Sequence, residues 1–90
     1  MVSKNQIKLI TGLQQKKYRK QHKLFFAEGI KVVQELLNSN FELQLLFTTQ
    51  AVFKNVPESK AEFITDAELK KISALTTPQT CLAVFAMPDE

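Results

Sequence analysis

The sequence contains one cysteine, one histidine, two glycines and no tryptophan. A single cysteine cannot form an internal disulfide. One cysteine and one histidine also do not make the ligand spacing of a zinc site. Two glycines exclude a glycine-rich phosphate loop. No apolar run approaches the ~18–20 residues of a membrane span, and the N-terminus lacks the features of a signal peptide. We therefore expect a cytoplasmic chain with no membrane contact, no metal and no catalytic site.

The charged residues are unevenly distributed along the 90 residues. Residues 1–31 contain eight basic side chains and one acid, a net charge of +7. Residues 32–90 contain four basic and eight acidic side chains, a net charge of −4. A basic third beside an acidic remainder indicates a polyanionic partner on one face, although most charge runs are only solvated surfaces.

Periodicity predicts alternating helices and strands. Capping-box patterns at Ser3 and Thr65 each predict the start of a helix, and residues 30–38 also have helical periodicity. Strands are predicted at residues 24–27, 41–48, 62–64 and 81–86, and a short helical segment is predicted near residues 49–54. We therefore predict an α/β fold, a three-layer α/β/α sandwich with about four strands, in one domain over residues 1–86. Residues 87–90 are expected to begin a linker.

A basic cluster at residues 16–23 is the strongest local feature. Its cations could neutralise phosphates, Arg19 could form a forked pair of hydrogen bonds, and Tyr18 could stack on an unpaired base. The alternative is that Tyr18 packs on the core and the lysines are merely solvated. The predicted contacts with nucleic acid in this cluster are Lys16, Lys17, Tyr18, Arg19, Lys20 and Lys23.

Further candidates lie outside the cluster, each with a structural alternative. Asn5 could contact a ligand or simply supply polarity at a helix start. Glu28 could face the ligand or stabilise the positive end of the next helix. Gly29 could allow close approach of the backbone or only provide a positive φ, and Lys31 could bind a phosphate beside it. His22 is predicted to be a surface side chain, with base or phosphate contact as the alternative, and Cys81 to be a buried, inert thiol.

The order of these features resembles the N-terminal substrate-binding domain of SpoU/TrmH-family RNA methyltransferases. The resemblance covers nearly the whole chain. Ala27 stands where the family usually has a branched residue, and Thr80 where it usually has a glycine. The matching segments are Ser3-Lys4-Asn5, Lys16-Lys17-Tyr18-Arg19, Phe25-Phe26-Ala27-Glu28-Gly29, Val33-Gln34-Glu35-Leu36-Leu37 and Ile72-Ser73-Ala74-Leu75-Thr76-Thr77-Pro78-Gln79.

The resemblance implies a fold like that of the kink-turn-binding ribosomal proteins and a structured rRNA or tRNA as partner. It also implies a parent enzyme that methylates a ribose 2′-hydroxyl with S-adenosylmethionine. The cofactor site and the homodimer interface would lie in a C-terminal knotted domain that is not part of this chain. Two alternatives remain: a stand-alone RNA-binding protein of the kink-turn class, and a protein-interaction module with an acidic partner.

Overall fold

The computed structural model describes residues 2–51, 53 and 56–87. Within them, four helices and four strands follow one another along the chain. The elements are α1 (Lys4–Gly12), α2 (Lys16–His22), β1 (Leu24–Glu28), α3 (Ile30–Leu37), β2 (Glu42–Thr48), β3 (Ala61–Phe63), α4 (Asp66–Ile72) and β4 (Cys81–Ala86).

The strands form one mixed sheet in the order β1-β4-β2-β3. The central strand β4 pairs antiparallel with both β1 and β2, whereas β3 pairs parallel with β2. The prediction of an α/β fold with four strands is confirmed. However, the apolar run at residues 24–27 predicts a buried strand, whereas β1 is half-buried along its whole length. The reason is its position, because β1 is an edge strand of the sheet.

Helices cover both faces of the sheet, as the predicted three-layer arrangement requires. On one face, α1 and α4 contribute Ile10, Leu69 and Ile72 to a cluster with Leu82 and Val84 of β4. On the other face, the core includes Val33 of α3, with Cys81, Ala83 and Phe85 of β4. The alternating side chains of β4 therefore join two cores through one strand, and β4 is buried from Cys81 to Phe85.

Both predicted capping boxes are present. The Ser3 hydroxyl accepts from the Gln6 amide, and the Gln6 side chain accepts from the Ser3 amide at 2.9 Å. Thr65 and Glu68 repeat this arrangement at the start of α4. The Glu68 carboxylate also accepts from the Val2 amide at 2.8 Å, which ties the N-terminal segment to α4. These backbone hydrogen bonds, from Thr65 first and then Val2, lower the pKa of Glu68.

A β-bulge in β2 overturns one prediction about the core. Strict alternation places Leu43, Leu45 and Phe47 on the same face. The pairing between β2 and β4 instead shifts register between Leu43 and Leu45. The extra residue, Gln44, moves Leu43 to the α3 face, while Leu45 and Phe47 stay on the α1–α4 face.

The helix predicted near residues 49–54 is absent from residues 49–51 and 53, and residues 52 and 54 lie outside the described part of the chain. Hydrogen bonds with the side chain of Thr48 explain the difference. The Thr48 hydroxyl donates to the Gln50 carbonyl at 2.7 Å and accepts from the Gln50 amide at 3.2 Å. The Thr49 amide also donates to the Thr80 carbonyl at 3.1 Å. These bonds hold the backbone in a turn that competes with a helix.

Two further sequence predictions have different outcomes. The helical period of residues 30–38 predicts that Ile30, Val33 and Leu37 share one inward face, but Ile30 is 40% exposed because it is the first residue of α3. Cys81 is fully buried, and burial raises the pKa of its thiol to about 11. This agrees with the prediction of an inert thiol, because the reactive thiolate form is disfavoured.

Candidate nucleic-acid interface

A groove of about 500 Å³ runs between α1 and α2. We call it the α1–α2 groove. Its walls combine two rings, two side-chain amides and a lysine, and no carboxylate lines it. The lining residues are Asn5, Lys8, Leu9, Thr11, Gly12, Gln15, Tyr18 and His22.

The groove is formed by matching positions on the two helices. Asn5, Lys8 and Gly12 follow the spacing i, i+3, i+7 along α1, and this spacing puts them on one face of a helix. Gln15, Tyr18 and His22 follow the same spacing across the start and length of α2. One wall of the groove therefore comes from α1 and the other from α2.

The Arg19 side chain connects α2 to the C-terminal end of α1 by a hydrogen bond. Its guanidinium Nη1 donates to the carbonyl of Leu13, the C-terminal cap of α1, at a distance of 2.8 Å. A cation is favourable there because the last carbonyls of a helix carry partial negative charge. Arg19 is half-buried, and this bond uses one of its five N–H donors. The arginine predicted to contact RNA therefore also has a structural role.

The position of Tyr18 is compatible with both alternatives that the sequence left open, base stacking and packing. Its ring lies against α1, with Cδ2 3.9 Å from the position that a Cβ on Gly12 would occupy. The Lys17 ammonium lies 4.8 Å from the centroid of the same ring. Tyr18 is half-buried and lines the α1–α2 groove, so its ring is positioned by packing and is also accessible from the groove.

The predicted cations of the basic cluster lie on α2 and at its C-terminal cap. Lys16, Lys17 and Lys20 are all exposed. Lys23 follows as the C-terminal cap of α2, in the left-handed conformation with φ 56°. Its carbonyl accepts from the Met87 amide at 2.8 Å, which fixes the end of α2 beside the end of β4. The basic cluster is therefore a surface of one helix attached to the sheet.

Three other predicted residues lie at the other end of β1 from the basic cluster: Glu28, Gly29 and Lys31. The distance along the strand from Lys23 to Glu28 is five residues, or roughly 17 Å at about 3.4 Å per residue. The structure therefore places Asn5 with the basic cluster but separates Glu28, Gly29 and Lys31 from it.

The far end of β1 is organised by hydrogen bonds within the protein. The Glu28 carboxylate accepts from the Ser73 hydroxyl at 2.5 Å and from the Ala74 amide at 2.9 Å. Glu28 thus stabilises the turn after α4, which agrees with a structural role. The contact differs from the predicted one, which was with the N-terminal end of the next helix, α3. Gly29 has φ +96°, which confirms the positive φ, and a Cβ at this position would lie 3.8 Å from the Gln79 side chain. Lys31 is exposed in the first turn of α3.

Sequence reasoning missed Lys8 and Gln15 and gave His22 only a secondary role. All three line the groove with Tyr18. The signal that could have found them is the i, i+3, i+7 spacing, applied to polar residues rather than to apolar ones. Among the described residues, no cluster of His, Cys, Asp or Glu could hold a metal ion. No described helix is long and apolar enough to cross a membrane.

Comparison with known proteins decides the family. A family model, the MRM3-like substrate binding domain, matches residues 4–83. The chain belongs to this family. The prediction from sequence, a substrate-binding domain of the SpoU/TrmH type, is thereby confirmed. No curated protein matches the chain.

Solved structures agree with the family assignment. A protein from Porphyromonas gingivalis assigned to the TrmH family of RNA methyltransferases is 34% identical, with a TM-score of 0.88. It is matched over 100% of the MRM3-like domain described here and 37% of its own length. An rRNA methyltransferase from Sinorhizobium meliloti is 22% identical, with a TM-score of 0.77, over 100% of this chain and 36% of its own. The SpoU methyltransferase AviRb from Streptomyces viridochromogenes is 15% identical, with a TM-score of 0.72, over 97% and 37%.

The last two likenesses show the shared fold alone. This chain spans just over a third of the length of the solved structures that it matches.

Proposed function

We propose that this MRM3-like domain binds structured RNA in the α1–α2 groove and presents a nucleotide to a catalytic domain elsewhere in the parent protein. The observation that carries the proposal is the groove itself. Tyr18, His22 and Lys8 line it together with side-chain amides, exposed lysines lie on the adjoining helix α2, and no acidic side chain lines it.

Each type of group in the groove suits one part of a nucleotide. The faces of Tyr18 and His22 can stack on an unpaired base. The amides of Asn5 and Gln15 can donate to and accept from a base edge. Lys8 within the groove can neutralise phosphates, as can the exposed lysines on α2. The groove thus combines stacking, hydrogen bonding and charge over one surface.

The donor set does not fit S-adenosylmethionine. That cofactor carries a positively charged sulfonium, which a neighbouring lysine repels and a carboxylate would stabilise. The α1–α2 groove offers Lys8 and no carboxylate. We therefore assign the methyl donor, and the transfer to a ribose 2′-hydroxyl of rRNA or tRNA, to another domain of a cytoplasmic parent protein. A homodimer formed through that domain, and a linker beginning at residues 87–90, belong to the same proposal.

A salt titration of RNA binding tests the role of the exposed lysines. The double variant Lys16→Gln/Lys20→Gln removes two phosphate contacts without touching the groove wall. The slope of log affinity against log salt is expected to flatten by about 1.4 to 1.8 units, since each contact contributes ~0.7 for single-stranded and ~0.9 for duplex nucleic acid. Fluorescence anisotropy with a labelled RNA hairpin measures the affinities.

The matched control is Lys60→Gln/Lys70→Gln, which changes the net charge equally but lies away from α2. Its slope should equal that of the unmodified protein. Equal flattening by both double variants would mean that only net charge matters, and would remove α2 from the interface.

A further inference from the structure

We infer that a second nucleotide subsite lies on the other side of α2 from the α1–α2 groove, and that it takes an unpaired nucleotide of the same RNA strand. This inference rests on the proposed function, because it requires RNA in the α1–α2 groove. The subsite is a depression of about 520 Å³, called here the α2–β1 depression. Its lining residues are Gln14, Arg19, Phe25, Phe26 and Ala74.

The depression lies at the outer edge of the sheet. Phe25 and Phe26 are neighbours in β1, so their side chains point to opposite faces, yet both line the depression. This is possible only where the edge strand itself is open to the side. Both rings are half-buried, because Phe25 also stacks on Phe85 at a centroid distance of 5.8 Å and Phe26 packs against the α1–α4 face. The exposed parts of the two rings give an apolar surface suited to a base.

Arg19 supplies the polar component of this subsite. Its bond to the Leu13 carbonyl fixes the guanidinium in place before any ligand arrives. A fixed guanidinium can stack on a base or fork two hydrogen bonds to a phosphate or a guanine edge. The exposed amide of Gln14 lies on the same depression and adds a hydrogen-bonding group. The ligand class is therefore a nucleotide, recognised by both its base and its phosphate.

Helix α2 connects the two subsites. Tyr18 and Arg19 are adjacent and half-buried, and successive helical residues differ by about 100° in direction. One therefore lines the groove while the other lines the depression. Lys16, Lys17 and Lys20 are exposed and occupy the remaining, outer part of the helix circumference. A strand that passes over this outer side of α2, from the groove to the depression, meets these cations, so its phosphates are neutralised between the two bases.

Glu28 acts as a positioning residue for this subsite. Its carboxylate binds the Ala74 amide, and Ala74 is part of the wall of the depression. The segment that Glu28 holds comes from the chain between α4 and β4, whereas the other walls come from residues 14–26. The predicted ligand residue Glu28 thus contributes without contacting RNA.

The test uses single-stranded oligouridylates of increasing length with the full 90-residue chain. For the unmodified protein, affinity should rise in two steps, as one subsite and then both are filled. Ala74→Leu places an apolar side chain over the depression and leaves the backbone bond to Glu28 in place. It should weaken binding of the longer oligomers by about 5- to 150-fold, which is the range for one stacked base, and leave the shortest unaffected. Its salt slope with the longer oligomers should flatten by about 0.7 units, because the phosphate contact with Arg19 is lost together with the base.

Ala67→Leu, at an exposed position of α4, is the matched control and should bind all lengths normally. Gln14→Ala, also at an exposed position, is a second variant that does not perturb packing, and a loss of about 2- to 12-fold for longer oligomers is expected. Normal binding by both Ala74→Leu and Gln14→Ala, while Tyr18→Ala is weakened, would overturn the second subsite and keep the proposed function. Absence of binding to any RNA by the unmodified protein would overturn both.

Discussion

Replacing Tyr18 with alanine is expected to weaken RNA binding by about 5- to 150-fold, because stacking of one base on an aromatic ring contributes ~1–3 kcal/mol. The ring lies in the α1–α2 groove against Gly12, with the Lys17 ammonium near its centroid. The substitution therefore removes the stacking surface and one partner of a cation–π pair. Anisotropy at fixed, low salt measures the affinity.

Tyr18→Phe is the control, since it keeps the ring and loses only the hydroxyl. It should bind within a few-fold of the unmodified protein. The salt slope of Tyr18→Ala should also stay unchanged, because no cation is removed. If Tyr18→Ala binds RNA normally while it folds normally, the tyrosine is only a packing residue and the groove does not hold a base.

The largest expected effect on stability comes from Phe85. This residue is fully buried in the central strand, pairs in register with Phe25 and Leu43, and stacks on the Phe25 ring. Phe85→Ala should lower the free energy of unfolding by about 3–5 kcal/mol. A domain of this size has roughly 5–13 kcal/mol in total, so the variant would lose a large part of its stability.

Urea unfolding followed by circular dichroism gives the free energies. Leu75→Ala is the control, because Leu75 is 44% exposed and its loss should cost less than about 0.5 kcal/mol. Equal stability of Phe85→Ala and the unmodified protein would contradict the assignment of β4 to the centre of the sheet.

Local sequence signals predicted the helix starts well. The boxes at Ser3 and Thr65 depend on two side chains three residues apart and on the backbone between them. Nothing distant in the chain is needed, so the pattern alone is sufficient. The same holds for β4, whose apolar run matches its burial from Cys81 to Phe85.

The errors came from features that depend on distant partners. The bulge at Gln44 is defined by the register of β2 against β4, which lies about 40 residues away. The half-burial of β1 follows from its place at the sheet edge, which is set by strand order rather than by composition. Periodicity within one segment cannot specify either feature.

The candidate interface was predicted in part for a similar reason. Charge clustering is local, so it predicted the cations of α2. Formation of the groove needs two helices to face each other, and this brings Asn5 and Lys8 of α1 into one groove with Tyr18 of α2. Glu28 and Arg19 gained intramolecular hydrogen bonds that no pattern predicted, with Ala74 and Leu13 respectively. A sequence motif identifies such residues, but it does not tell whether a residue has a structural role or contacts a ligand.

The most direct test of RNA binding in the α1–α2 groove is a nuclear magnetic resonance titration. Backbone amide shifts of the labelled 90-residue chain would be followed as an RNA hairpin with an unpaired loop is added. The largest changes are predicted at Asn5, Lys8, Gly12, Tyr18 and His22, with little change along α3 and β3. Changes concentrated on α3 or β3, with α1 and α2 unaffected, would contradict the account.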